Sequence, residues 1–448
     1  MIRGRTLPVG SSALLGPEEP RCEAGTDEAE DVRGGDLHGG SVGPAPDGPV
    51  PAGRLVPAVR RLVLLVYALL FVNEVQQASI IPLLPELKAG FDLSTVEVGA
   101  ILSTTTFATV VVGVPVGLLA DRVGARILTV AAGCLLVVSA LVQAFAGDFW
   151  TFLAGRGLLG LAYGTVWTAG LALIRDSTSA RRSSALGGTV TVGGLAYLTG
   201  PPATGFAYER FGIEAPFVAM SVAAVLVTVL LARAPAARAI DRSRQRLLPA
   251  LRALRSAHTV RSALLLIALV GSIMGVVQLL VPLRLGENGL SPGEIGAVFS
   301  ASSAVWIVVS GLVARRGDRA VRVQAAGVGI LLLGCVFLLP LVTLSTTAVV
   351  AFVLLRSGFG APLSTIVYPL SETGARAVDV GGGIVLGVMN AAWGGAAVVA
   401  PLVAGALAQT VGERWTFGVV VGLCLAAGSW MLLSDRRATR AAAAVGCS

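Results

Sequence analysis

The chain is poor in charge, in histidine and in paired cysteine. Only 13% of its 448 residues are charged, about half the share typical of a soluble domain. A water-soluble fold could not hide an apolar fraction of 54%, whereas lipid can solvate the outer face of every helix. The two histidines are His38 in the N-terminal stretch and His258 in a basic loop. That scarcity argues against a histidine-based catalytic or metal cluster, and no metal site is expected. The five cysteines, Cys22, Cys134, Cys335, Cys424 and Cys447, form no CxxC pair. Neither a disulfide framework nor a zinc site is indicated. A GxxxxGK[ST] loop is also missing, so no nucleotide cofactor is expected.

The formal net charge is +8, and every basic residue except Lys88 and the histidines is arginine. These arginines sit in short strips between apolar runs, and no basic-aromatic platform accompanies them. Nucleic-acid binding is therefore not expected. Arginine in place of lysine fits a GC-rich bacterial genome, which points to a bacterial inner membrane.

Residues 1–55 are rich in Gly, Pro and acids, as in Pro17-Glu-Glu-Pro20. They lack the apolar pattern needed for a core and read as a disordered cytoplasmic tail. No apolar segment follows a basic start, so this stretch does not read as a signal peptide. Twelve apolar runs come after it: Leu62–Leu83, Thr95–Leu119, Ile127–Gly147, Trp150–Ile174, Ser184–Ala207, Ala215–Ala232, Ser262–Leu283, Glu294–Val313, Val323–Val342, Thr347–Pro369, Gly383–Leu407 and Thr416–Leu433. Each is near the roughly 20 residues that cross a bilayer as a helix. The expected fold is an all-α membrane protein of twelve transmembrane helices in two six-helix pseudo-repeats. The halves are 56–233 and 262–435, joined by an Arg-rich cytoplasmic linker, 234–261, and followed by a tail, 436–448.

Loop arginines set the orientation. Odd-numbered loops hold only Lys88, Arg210, Arg284 and Arg414. Even-numbered loops carry clusters such as Arg315, Arg316, Arg319 and Arg322. The positive-inside rule places both termini in the cytoplasm. A repeat relates the halves. Arg156-Gly-Leu-Leu-Gly160 recurs as Arg356-Ser-Gly-Phe-Gly360, and 356 − 156 = 200. Pro201, Gly205, Gly212 and Phe217 recur at the same shift as Pro401, Gly405, Gly412 and Phe417. Ser94-Thr-Val-Glu97 and Ser291-Pro-Gly-Glu294 both read as helix capping boxes. Parallel halves of this kind usually enclose a site near the bilayer midplane.

Four segments carry chemistry. The second loop reads Gly117-Leu-Leu-Ala-Asp121-Arg122-Val-Gly124-Ala-Arg126. Gly117 permits close helix approach, Gly124 a tight turn, and Asp121 can pair with an arginine or cap a helix. The fourth span carries Arg156-x-x-x-Gly160-x-x-x-Gly164, and a charge within a span is costly and usually functional. The fifth span holds Gly193-Gly194 and Gly200-Pro201-Pro202-Ala-Thr-Gly205; there proline kinks the helix and glycine lets helices touch. The first span places Glu74 near mid-depth beside Asn73, Gln76 and Gln77. Asn73 and Gln77 share one helical face, with Glu74 next to it. An uncompensated carboxylate at that depth is expected to take up a proton. Gln278, Tyr368, Asn390 and Trp393 are candidates to line the same cavity.

The loop motif resembles the signature GxxxDRxGRR-like loop of the major facilitator superfamily. The fourth- and fifth-span motifs resemble that family's proton-linked helix motif and its antiporter motif, and Pro82-x-x-Pro85 is similar to the twelve-span drug:proton antiporters. The resemblance covers about Leu62 to Leu433. It implies alternating access about a central site, with the loop latching the halves in one state. Ala125 and Arg315 depart from the loop pattern, and Thr204 from the antiporter pattern. The resemblance further implies a non-enzymatic transporter, driven by the proton gradient and needing no cofactor. Its expected partners are protons, a small-molecule substrate and the bilayer, and it is expected to act as a monomer. Export of a drug-like compound or metabolite in exchange for protons is the leading expectation. Proton-coupled import of a nutrient stays open, as does a membrane sensor without transport. For the individual motifs the alternatives also stay open: a loop that only fixes topology, an Arg156 that snorkels to the interface, and a Glu74 that only holds helices together.

Overall fold

The computed structural model describes residues 57–178, 182–234, 258–315, 322–376, 380 and 382–445. The expected N-terminal tail and most of the central linker lie outside them. The described residues form twelve spans. They are α1 (Pro57–Ala78, continued by Ile80–Gly90), α2 (Thr95–Val123), α3 (Ala125–Ala144), α4 (Phe149–Ser177), α5 (Arg182–Phe211), α6 (Glu214–Ala232), α7 (His258–Glu287), α8 (Pro292–Ala314), α9 (Val323–Val342), α10 (Thr346–Arg376), α11 (Gly382–Thr410) and α12 (Glu413–Val445). Ten are long and apolar enough to cross a membrane by length and composition. The other two, α1 and α5, hold the Glu74 cluster and the Gly/Pro-rich segment.

Local chemistry explains the irregularities. Pro82 cannot donate to the carbonyl of Ala78, and α1 breaks next to that residue, at Ser79. Pro340 likewise leaves the Val336 carbonyl without its donor, and α9 breaks at Phe337. Both capping boxes form: Ser94 opens α2 and Ser291 opens α8, each answered by its glutamate. Most boundaries shift by a few residues from the sequence reading, as three examples show. α1 begins at Pro57 rather than Leu62. α7 begins at His258, so this residue is helical and not in a loop. α12 runs to Val445, so most of the expected C-terminal tail continues the helix; its run Arg-Arg-Ala-Thr-Arg-Ala-Ala-Ala-Ala is made mostly of strong helix formers.

Within the first half, α4 packs along α2 and α3, and α5 along α1. A Cβ at Gly160 would fall on the Thr105 carbonyl, and one at Gly164 against Thr109 and Val112. The Thr109 hydroxyl donates to the Gly160 carbonyl at 3.0 Å.

The halves meet along two seams, α2 with α11 and α5 with α8. At the Arg-poor end both seams are backbone-tight. Gly99 faces the Pro401 carbonyl and Gly405 the Thr95 carbonyl; Gly205 faces the Pro292 carbonyl and Gly296 the Pro201 carbonyl. Close contact continues inward as far as Gly394 on Val110 and Gly194 on Ile307. Nearer the Arg-rich end, Gly113, Gly187, Gly311 and Gly387 have open space where a Cβ would point. Val114, Leu118, Val190, Val308 and Leu312 are exposed there. The molecule is closed at its Arg-poor end and open at its Arg-rich end.

Gly160→Val should lower stability by about 1–3 kcal/mol, because a side chain there overpacks a filled contact. Gly117→Ala is the control: its Cβ would meet only Thr168 Cγ2, at 4.0 Å. Thermal unfolding in detergent measures both; an unchanged midpoint for Gly160→Val would contradict the close approach.

Candidate functional site

Glu74 is buried, and its Oε1 accepts two hydrogen bonds, from the Tyr163 hydroxyl and from the Trp167 indole N–H, each at 2.7 Å. Both donors come from α4, one helical turn apart. The wider π turn Val166–Gly170 carries Trp167, and such turns recur at functional sites. Among the described residues Glu74 has no ion-pair partner, and its Oε2 accepts no hydrogen bond. Neutral dipoles, not a counter-charge, offset its burial.

Arg156 is fully buried. Its Nη2 donates to Gln77 Oε1 at 3.0 Å and its Nε to the Ile101 carbonyl at 3.4 Å, while Nη1 has no partner. Snorkelling is therefore excluded, because the guanidinium ends between α1 and α2 rather than at an interface. Glu74 and Arg156 do not pair with each other. Each is held by neutral groups of the first half.

The central cavity lies between the halves. Gln77, Thr105, Tyr163 and Tyr197 line it from one side; Met274, Gln278 and Trp393 line it from the other. Tyr197 and Gln278 are in hydrogen-bonding reach across it. Met274 occupies the position 200 residues after Glu74, so the second half offers a thioether where the first has an acid.

The structure sorts the sequence candidates. Gln77, Gln278 and Trp393 face the cavity. Tyr368 and Asn390 do not line it: they bond each other at 3.1 Å, nearer the Arg-rich mouth. Asn73 lies fully buried between helices with both amide atoms unpartnered. The shared face inferred for Asn73 and Gln77 therefore ends in two different environments. Tyr163, Trp167 and Tyr197 were not among the sequence candidates. The signal that could have found the first two is a pair of aromatic donors at i, i+4, about two and three turns after Arg156.

In the second loop, Gly124 has φ +93°, a conformation only glycine adopts without strain. Arg126 donates to the Ala232 carbonyl at 2.9 Å, closing the end of α6 within its own half. Arg122 is exposed. Asp121 lies in α2, and its side chain is outside the described set. Gly117 makes no close helix approach: a Cβ there would meet only Thr168 Cγ2 of α4, in its own half, at 4.0 Å. The second-half counterpart of this loop, Gly311-Leu-Val-Ala-Arg315-Arg-Gly317-Asp318-Arg319, has Arg315 where the first has Asp121 and is described only to Arg315. In α5, a Cβ on Gly194 would touch Ile307 of α8 and one on Gly200 would touch Val75 of α1, both at ordinary packing distance, and Pro201 and Gly205 belong to the α5–α8 seam.

The sequence profile described as Major Facilitator Superfamily matches residues 66–378, well over half of the chain. Among curated proteins, the MFS-type transporter ppzB of Metarhizium rileyi is 33% identical over 172 residues, covering 36% of this chain and 34% of that protein. A probable vesicular acetylcholine transporter-B of Danio rerio is 28% identical over 184 residues, 38% of this chain and 37% of that protein. The human synaptic vesicular amine transporter is 28% identical over 135 residues, 29% and 26% of the two chains. The chain thus spans about a third of the length of the curated relatives it matches. A bacterial homolog of the human lysosomal transporter Spinster, in an inward-facing and unoccupied conformation, shares the fold with TM-score 0.67 and 14% identity, over 85% of this chain and 97% of that one.

Arg156→Met should leave a folded protein with an unfolding midpoint at or above that of the parent. It removes a buried cation that has no carboxylate, and such charges are often worth less than an apolar replacement. The same variant should lose transport. A midpoint clearly below the parent's would show that the arginine is structural.

Proposed function

Because the chain belongs to the Major Facilitator Superfamily, a family of membrane transporters and not enzymes, we propose that it exports a small organic molecule in exchange for protons. The carrier works by alternating access, and Glu74 is the coupling carboxylate. The observation that carries this reading is the state of Glu74. It is buried beside the cavity, without a cation, one oxygen held by two donors and the other unbonded. That second oxygen can hold a proton or face a positively charged cargo, but not both at once. A cation arriving from the open Arg-rich end would displace the proton: Glu–COOH plus cation gives Glu–COO⁻ with cation, and H⁺ leaves. The reverse step at the other face releases cargo and reloads the proton. The Arg-rich end is cytoplasmic by the positive-inside rule, which makes the loading step cytoplasmic.

An organic cation is the cargo class we favour. Relatives named for acetylcholine and for amines are consistent with it. The aromatic faces of Tyr163, Tyr197 and Trp393 around the cavity would add cation–π attraction. Arg156 stays hydrogen-bonded to Gln77 and sets the geometry of the cavity wall without occupying the cargo position.

Glu74→Gln should fold normally, since its amide oxygen still accepts from Tyr163 and Trp167. It should lose gradient-driven efflux of an organic-cation dye to the background of empty vesicles. Efflux at the parent rate would remove Glu74 from coupling, and accumulation of the dye by energised right-side-out vesicles would reverse the direction.

A further inference from the structure

The two seams that close the Arg-poor end are related by the 200-residue repeat, yet they are not held in the same way. Across the α2–α11 seam the described residues make no side-chain hydrogen bond; glycines there pack on carbonyls and on Val96 and Val110. The α5–α8 seam has the same glycine contacts and three hydrogen bonds besides. Ser300 donates to the Leu198 carbonyl and Ser303 to the Tyr197 carbonyl. The third is of a different kind. Glu209 Oε1, near the end of α5, accepts from the Gly293 N–H at 2.7 Å, in the first turn of α8. Pro292 before it has no N–H, so Gly293 offers the first free donor of a 23-residue helix. A carboxylate on a helix N-terminus gains from both the charge-assisted bond and the helix dipole.

Gly293 also has no room for a side chain: a Cβ there would press on Phe206 and on Glu209 itself. The residue 200 positions after Glu209 is Gln409, which carries no charge. A second inter-half contact at this end, Lys88 with Glu287, is an exposed ion pair at 3.9 Å, and such pairs contribute little.

We propose that Glu209 is a positioning residue of the transport cycle: its bond to the Gly293 amide is the latch that holds the Arg-poor face shut. The α5–α8 seam is then the one whose release limits opening of that face, while α2–α11 parts after it. The Ser300 and Ser303 bonds land on the α5 segment that contains Tyr197, so the latched seam reaches the cavity wall through that residue. The latch rests on the alternating-access cycle proposed above.

The test uses the full chain in right-side-out vesicles, with the five native cysteines replaced and a Thr106→Cys reporter in the central cavity. A membrane-impermeant maleimide is added at the Arg-poor face. Glu209→Ala should raise the labelling rate about tenfold, the scale of one lost charge-assisted bond. Glu209→Gln keeps the shape and a neutral acceptor and should fall between the two; it also serves if the alanine variant folds poorly. Gln409→Ala should stay within about twofold of the parent, as expected for a surface position outside any charged contact. Parent-like labelling in both folded Glu209 variants overturns the latch, as does an equal rise in Gln409→Ala. Labelling of the parent in an energised, substrate-dependent manner establishes alternating access separately. Its complete absence in every variant overturns the cycle and the latch together.

Discussion

An ionised carboxylate in a low-dielectric interior is expensive, and much of the first half is arranged around the one at Glu74. A cation beside it would offset its charge permanently. Instead α4 supplies two neutral donors, Tyr163 and Trp167, to a single oxygen. Dipoles lower the cost of the charge without cancelling it. Arg156 follows the same rule with the sign reversed, held by an amide and a carbonyl. The two do not pair with each other, so each buried charge is met by neutral groups alone.

Bringing those donors to Glu74 depends on how closely the helices approach. Gly160 and Gly164 let α4 settle onto α2. Glycine is used here for proximity rather than for backbone freedom. At Gly124, by contrast, a positive φ between spans decides the path of the motif loop.

The same device, repeated 200 residues apart, builds the seams between the halves. Glycine against carbonyl gives a surface that packs tightly yet can part without breaking many hydrogen bonds. The halves differ where polarity is added. The acid of α1 has Met274 at its repeat position, and the carboxylate at the end of α5 has Gln409. The two acids thus lie in the first half, whereas Arg156 recurs as Arg356, and the second half completes the cavity with Gln278 and Trp393.

Composition, periodicity and the repeat were enough to determine the membrane class, the twelve spans and the two halves. These depend on hydrophobic length and helical period, which are local quantities. The polar positions within spans were legible for the same reason: Glu74 and Arg156 stand out against apolar neighbours. Their partners were not legible. Whether Glu74 faces Arg156 or two aromatic donors depends on the rotation of α4 against α1, which no span encodes alone. Asn73 and Gln77 share a helical face, yet one is sealed between helices and the other lines the cavity. Tyr368 and Asn390 have the polarity of cavity residues, but the packing of α10 and α11 places them together at the mouth. The closed and open ends, and the unequal seams, are likewise properties of contact between distant segments. Sequence determined which residues must be buried; tertiary packing alone decided what each buried group meets.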